Sequence, residues 1–302
     1  MTDPTGKSAD PAAAVNRATR DHSRHWRDFD YVYPVLSRRA AGLSIGVNLN
    51  PDDACNFDCI YCLVDRTIAP KRRDVDLDQL RDELDQMLQQ AADGRIWQDP
   101  RFTGLPASHR RVNDIAFSGN GEPTAYPHFN RAVRIAGELK GRHNLTDVKT
   151  ILITNAVLFD RPKVRAAIDS LDPHHDEIWA KLDAGTESYF HLINRTKVSF
   201  DRILRNIRDL GRTRPIVIQS LFMKVHGEPV PDAEFDAYLG RLADLLTDGC
   251  QIKLVQLYTV ARRTAEPYVT PLEDDALDRL AQRLRSRLPD LPAQTYPSPA
   301  NE

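Results

Sequence analysis

Three of the chain's four cysteines lie in one short run, Cys55-Asn56-Phe57-Asp58-Cys59-Ile60-Tyr61-Cys62, with three and then two residues between them. Thiolates are soft ligands, and three on one loop can hold a single iron–sulfur cluster. A cubane cluster has four irons, so three cysteines leave one iron without a protein ligand. A small molecule can chelate and react there. Part of a structural zinc site is the competing reading. Such sites want four ligands, normally as two close pairs. The remaining cysteine, Cys250, follows a different helical stretch, and no histidine lies near the loop in sequence. A disulfide framework does not suit so long a chain with so few cysteines.

The spacing C-x-x-x-C-x-x-C, with aromatic Tyr61 before the last cysteine, resembles the signature of the radical S-adenosylmethionine (SAM) superfamily. The flanking Ser37-Arg38-Arg39 and Gly42-Leu43-Ser44-Ile45-Gly46 are similar to one branch of it, bacterial and archaeal Fe–S oxidoreductases related to wyosine-type tRNA-modifying enzymes. The resemblance runs from about Pro34 to about Pro267. It implies a [4Fe-4S] cluster held by Cys55, Cys59 and Cys62, with SAM chelated at the open iron. It also implies a one-electron donor such as flavodoxin or ferredoxin. Reductive cleavage of SAM then gives methionine and a 5′-deoxyadenosyl radical that takes hydrogen from a substrate. The cofactor carries that chemistry, so no protein acid–base pair is required for the first step.

Further motifs extend the resemblance. Ser118-Gly119-Asn120-Gly121-Glu122-Pro123-Thr124 is similar to the family's glycine-rich strip, although the usual pair of glycines is separated here by Asn120. The implied role is to bind the amino group of SAM, with Glu122 as acceptor. Read alone, it is a Gly-rich turn. Asn155 matches the position that contacts the ribose or carboxylate of SAM, and is otherwise a common turn residue. Lys181 and Asp183, two apart on a strand, point to one side. They are expected to meet the SAM carboxylate and a ribose hydroxyl, or else to pair with each other. Tyr61 is expected against the cluster or adenine. Asn194, Arg195, Gln219 and Ser220 are weaker pocket candidates. Arg262 and Arg263 either face an anionic substrate or are solvated, and the Arg38–Arg39 pair reads either way too.

These motifs need a frame. Ile45, Val47 and Leu49 alternate as in a strand, and the cysteine loop follows directly. Strands are expected at 112–117, 147–154, 177–182, 215–223 and 252–259, and helices at 74–92, 127–139, 161–170, 200–210, 231–248 and 271–288. Six strands alternating with six helices make an α/β protein with a parallel sheet. The alternation alone does not separate an open sheet from a curved one. The resemblance implies an open (β/α)6 partial TIM barrel, with its site at the carboxyl ends of the strands. Each unusual motif falls at such an end.

The 302 residues, 41% hydrophobic and 28% charged with a formal net charge of −2, are ordinary for a globular protein. That balance argues against a strongly basic nucleic-acid surface. No apolar run approaches the ~20 residues of a membrane helix. Residues 1–25 read as a disordered leader without a signal peptide's apolar core. Residues 26–289 form the core domain, with aromatic residues 22–33 as a cap, and 290–302 a Pro-rich tail. A cytoplasmic location follows as an expectation. The reading favoured is a radical SAM enzyme acting on a small molecule or modified nucleoside, with RNA a substrate by analogy only. The wyosine-forming members carry cysteines for a second cluster and the molybdenum-cofactor cyclases a carboxy-terminal trio, and this chain has neither. The alternatives are an activating enzyme that places a radical on a partner protein, and a non-catalytic Fe–S scaffold.

Overall fold

Residues 216–221, Ile-Val-Ile-Gln-Ser-Leu, are buried along their whole length. This is how a parallel strand covered on both faces behaves. The computed structural model describes residues 11–21, 23–24, 26–37, 39 and 42–298. Arg38 and the ends of the expected leader and tail, 1–10 and 299–302, lie outside the described residues.

In chain order the elements are α1 (Pro11–Arg20), β1 (Val32–Ser37), β2 (Gly42–Val47), α2 (Leu77–Ala92), β3 (Val112–Phe117), α3 (Phe129–Arg142), β4 (Lys149–Thr154), α4 (Pro162–Asp169) and β5 (Glu177–Lys181). Then follow α5 (Glu187–Asn194), α6 (Phe200–Gly211), β6 (Ile216–Leu221), β7 (Met223–Val225), α7 (Asp232–Thr247), β8 (Ile252–Tyr258), β9 (Val269–Pro271), α8 (Asp274–Arg287) and β10 (Ala293–Tyr296). The main sheet has the order β1-β2-β3-β4-β5-β6-β8-β10. All neighbours in it are parallel except β1 and β2. The six expected strands are β2, β3, β4, β5, β6 and β8, and the sheet curls into a partial barrel. Helical stripes such as Leu77, Leu80, Leu84 and Leu88 of α2 cover its outer face.

Besides the short antiparallel pair β7–β9, four elements depart from the expectations. Pro11–Arg20, inside the expected leader, is a helix whose Ala14 and Ala18 are buried. Small residues four apart make one packing face, and alanine favours helix. The expected tail contributes β10, paired in parallel with β8 through Ala293↔Val255. Prolines suit the beginning of an edge strand, and Pro292 offers its carbonyl to the Val255 amide at 2.8 Å. The aromatic cap is real at Trp26, fully buried beside Phe102. It leads into β1, an antiparallel strand absent from the expected count. Residues 187–194, placed in no element by their pattern, form α5, capped by the Thr186 hydroxyl accepting from the Tyr189 amide at 3.3 Å.

The entry into β1 is fixed by one buried acid. Glu83 of α2, 4% exposed, accepts the backbone amides of Asp30 at 2.9 Å, Tyr31 at 2.8 Å and Val32 at 3.1 Å. Removing the carboxylate leaves buried donors unsatisfied, each worth ~1–3 kcal/mol. Glu83→Ala is therefore expected to cost about 3 kcal/mol or more in urea unfolding. A loss below ~0.5 kcal/mol would contradict this anchoring role.

Candidate functional site

The carboxyl ends of the parallel strands open on one cavity of about 320 Å³. Cys55, Cys59 and Cys62 line it, as do Tyr61, Gly119, Asn120, Gly121, Glu122, Asn155 and Lys181. Asp183 does not line it, although it lies directly behind Tyr61 and Lys181.

The cysteine loop has no regular structure, so neighbours must hold it. The Asp58 and Ile60 amides donate to the carbonyls of Asn194 at 3.1 Å and Ile193 at 2.9 Å, fastening the loop to the end of α5. Phe57 packs edge-on against Phe190 with ring centroids 5.7 Å apart. All three thiols are free and partly exposed. Donors point at two of the sulfurs. Asn194 Nδ2 reaches Cys59 Sγ at 3.3 Å, and Arg66 Nη1 and the Val64 amide reach Cys62 Sγ at 3.5 Å each. Burial pushes the Cys59 thiol up to about 12 and raises that of Cys55.

Gly119 and Gly121 press against this loop. A Cβ at Gly119 would lie 2.2 Å from Asn48 Oδ1, and one at Gly121 2.0 Å from the Ala54 carbonyl oxygen. The glycines therefore admit the neighbouring loop itself. Asn120 donates to Asp53 Oδ1 at 2.6 Å and accepts from Arg24. Glu122 is 3% exposed, and its Oε1 accepts from the Thr124 amide at 3.2 Å, the Thr124 hydroxyl and the Thr154 hydroxyl at 2.6 Å. Its Oε2 accepts from the Asn155 amide at 2.8 Å. Burial raises this carboxyl while those four donors pull it back. A carboxylate has about four acceptor positions, and three of the bonds converge on Oε1, so Oε2 keeps room for another donor. Asn155 Nδ2 in turn donates to Asn56 Oδ1 at 2.6 Å, tying β4 to the cysteine loop.

On the opposite wall Lys181 Nζ sits 2.7 Å from the Tyr258 hydroxyl and 3.4 Å from Asp183 Oδ2, over the Tyr61 ring at 5.0 Å. Burial pulls its ammonium down, but Asp183 and Tyr258 more than offset that and the net direction is upward. Lys181 therefore stays charged. Asp183 accepts from the Tyr61 hydroxyl and from the Leu221 amide at 2.8 Å. Its carboxylate is taken up by the protein, and it positions Tyr61 and Lys181.

The weaker candidates divide. Asn194 touches Cys59 and the Tyr61 hydroxyl, and Gln219 lines the cavity. Ser220 faces the helical layer, donating to the Leu182 carbonyl at 2.6 Å. Arg195 pairs with Glu266 and Asp58 at the surface. Arg262 lines the cavity, while Arg263 is exposed. Cys250 is buried against α6, outside the cavity, with burial lifting its thiol to about 11.

Sequence reasoning missed the deeper part. Ser44 of β2 and Asp114 of β3 hydrogen-bond to each other inside the barrel, and both line the cavity. Paired in register Ser44↔Asp114, the serine interrupts an apolar strand and the aspartate is an acid in the middle of a strand, which was the available signal. Burial raises the Asp114 carboxyl from 3.8 to about 6, against the pull of Ser44 and Arg39. The folded state thus holds that proton more tightly than the unfolded one, so stability falls as pH rises through that interval and stays lower above it. Two pH units correspond to about 3 kcal/mol. Asp114→Asn is expected to raise the melting temperature near neutral pH, with the gain disappearing at a pH of about 4 or below. An equal effect at both pH values would contradict this assignment.

Comparison with known proteins agrees with this fold. A Helicobacter pylori UPF0026 protein is 31% identical over 143 residues, covering 46% of this chain and 39% of its own. Matched stretches amount to 32% to 47% of several curated relatives, so the chain spans less than half of their length. A Streptococcus suis SuiB structure bound to S-adenosylmethionine superposes with TM-score 0.57 at 16% identity, covering 86% of this chain and 52% of that one. A structure of TYW1 with a lysine-pyruvate adduct gives 0.54 at 16% identity, covering 90% and 80%. These likenesses show the fold. The sequence profile of the Radical SAM superfamily matches residues 49–239, from just after β2 into α7, and the chain belongs to that superfamily, whose cofactors are a [4Fe-4S] cluster and SAM.

Proposed function

We propose that Cys55, Cys59 and Cys62 hold one [4Fe-4S] cluster, and that the cavity beside them binds SAM for radical chemistry on a small molecule or modified nucleoside. The observation that carries this reading is the donor set. Three free, partly exposed thiols on one loop open on one cavity, with N–H donors aimed at two of the sulfurs. Such donors are what cluster sulfurs accept. Held by Cys55, Cys59 and Cys62, the cluster would supply one-electron reduction of SAM, and SAM the radical equivalent for hydrogen abstraction from the substrate.

The chain's own residues bind and orient. Oε2 of Glu122 is the acceptor for the SAM ammonium, and the Lys181 ammonium is the cationic partner for its carboxylate. Tyr61, with its hydroxyl held by Asp183, presents a fixed ring to the cavity. Asn155 and Asn120 fasten the two flanking loops to the cysteine loop. Gly119 and Gly121 let those loops meet.

Anaerobic reconstitution with iron and sulfide, followed by SAM and dithionite, is expected to release 5′-deoxyadenosine. Cys59→Ala is expected to abolish both cluster and product, and Cys250→Ala to leave both intact. A cluster lost with Cys250 would overturn the ligand assignment. Asn194→Ala removes one hydrogen bond to sulfur, worth about 1 kcal/mol, or roughly 40 mV for one electron. The cluster potential is expected to move negative by about that amount, and an unchanged potential would contradict a role for Asn194 at the cluster.

A further inference from the structure

Beneath the cysteine loop the cavity continues into the barrel, and its walls there carry two charges of opposite sign. Asp114 is 2% exposed, and one of its oxygens accepts from Ser44. Its other oxygen has no hydrogen-bond donor among the described residues. Arg39, in the turn between β1 and β2, lays its guanidinium over the rings of Trp179 at 5.0 Å and Tyr258 at 5.3 Å. Among the described residues, neither charge forms an ion pair with the other or with a third group. The sequence neighbours of Arg39 are Arg38, Ala40 and Ala41, none of them acidic. The nearby charges on the barrel floor are committed elsewhere, since Glu177 holds Lys149 at 2.7 Å and Lys253 at 2.8 Å.

Asp114 is buried and Arg39 half-buried, its guanidinium hydrogen-bonded to the Tyr258 hydroxyl but in no ion pair, and a desolvated charge without a counter-ion is unfavourable. Two of opposite sign, facing one cavity without meeting, are both satisfied by a ligand carrying both complements. We propose that this chamber is the substrate pocket and takes a small zwitterion of the amino-acid type, its amino group donating to Asp114 and its carboxylate meeting Arg39. Contact with two rings and the Tyr258 hydroxyl holds the guanidinium in place, and its remaining N–H donors are left for a carboxylate. Ala116, Ile151 and Ile153 supply an apolar wall for the rest of the molecule. The assignment rests on the radical SAM reading, because a substrate must lie beside SAM for its hydrogen to be taken.

The test uses the full-length reconstituted protein, equilibrated anaerobically with SAM and an equimolar mixture of the protein amino acids. Methionine is left out because it is a fragment of SAM. After rapid desalting, retained SAM and amino acids are quantified by mass spectrometry, alongside the melting temperature. Wild type is expected to retain SAM and at least one amino acid. Asp114→Asn and Arg39→Gln are each expected to lower amino-acid retention about tenfold or more, with SAM retention unchanged and no loss of melting temperature in Asp114→Asn. Retained SAM without any amino acid, or amino-acid retention equal in the variants, overturns the proposal and leaves the cofactor reading standing. Loss of SAM together with the amino acid in Arg39→Gln overturns it too, by assigning the arginine to the cofactor. Wild type that retains no SAM contradicts the cofactor reading itself.

Discussion

The cysteine loop has no ladder of its own hydrogen bonds, and the site depends on how its neighbours hold it. Backbone contacts to the last residues of α5 fix one side. The other side rests on Gly119 and Gly121, where any side chain would strike the loop backbone or an asparagine that braces it. Asn155 closes the ring by reaching Asn56. Loops following β2, β3 and β4 and the helix following β5 are thereby joined around three sulfurs. The parallel order of the strands brings these ends to one face, and the joined loops set the thiols there.

Inside the barrel the chemistry changes with depth. At the mouth, polar groups satisfied by one another surround the thiols. An apolar layer of Ala116, Ile151, Trp179 and Val217 lies below. At the floor Glu177 is held down to about 2 by Lys149 and Lys253, despite the opposing effect of burial, so these charges remain paired across the working pH range. Asp114, buried, and Arg39, half-buried, differ from both sets in having no ion-pair partner among the described residues. A pocket able to hold a polar molecule against apolar walls follows from that contrast.

Much of this was legible in the sequence. Strand β3 appears over the expected residues 112–117, and α2, α6 and α7 follow stripes of leucine and phenylalanine that can bury only one way. The three cysteines, the Gly-Asn-Gly-Glu strip, Asn155 and Lys181 converge because each ends a strand of the same parallel sheet. What the sequence concealed was set by tertiary partners. Helix α5 is short, and its role as a platform for the cysteine loop has no periodic signal. Asp183 and Lys181 share a side as expected, but Tyr61 and the Leu221 amide claim the aspartate first. The glycine strip looks like a ligand cradle in sequence, whereas its closest contacts are within the protein. Strand β10 was obscured by prolines, whose carbonyl oxygens remain able to accept hydrogen bonds.

The most direct test of the central claim, that these three cysteines leave one iron open for SAM, is Mössbauer spectroscopy of the protein reconstituted with ⁵⁷Fe, before and after SAM is added. The account predicts that one iron of the cubane changes its isomer shift and quadrupole splitting on SAM binding while the other three do not. Four irons that remain spectroscopically unchanged in the presence of retained SAM would contradict it.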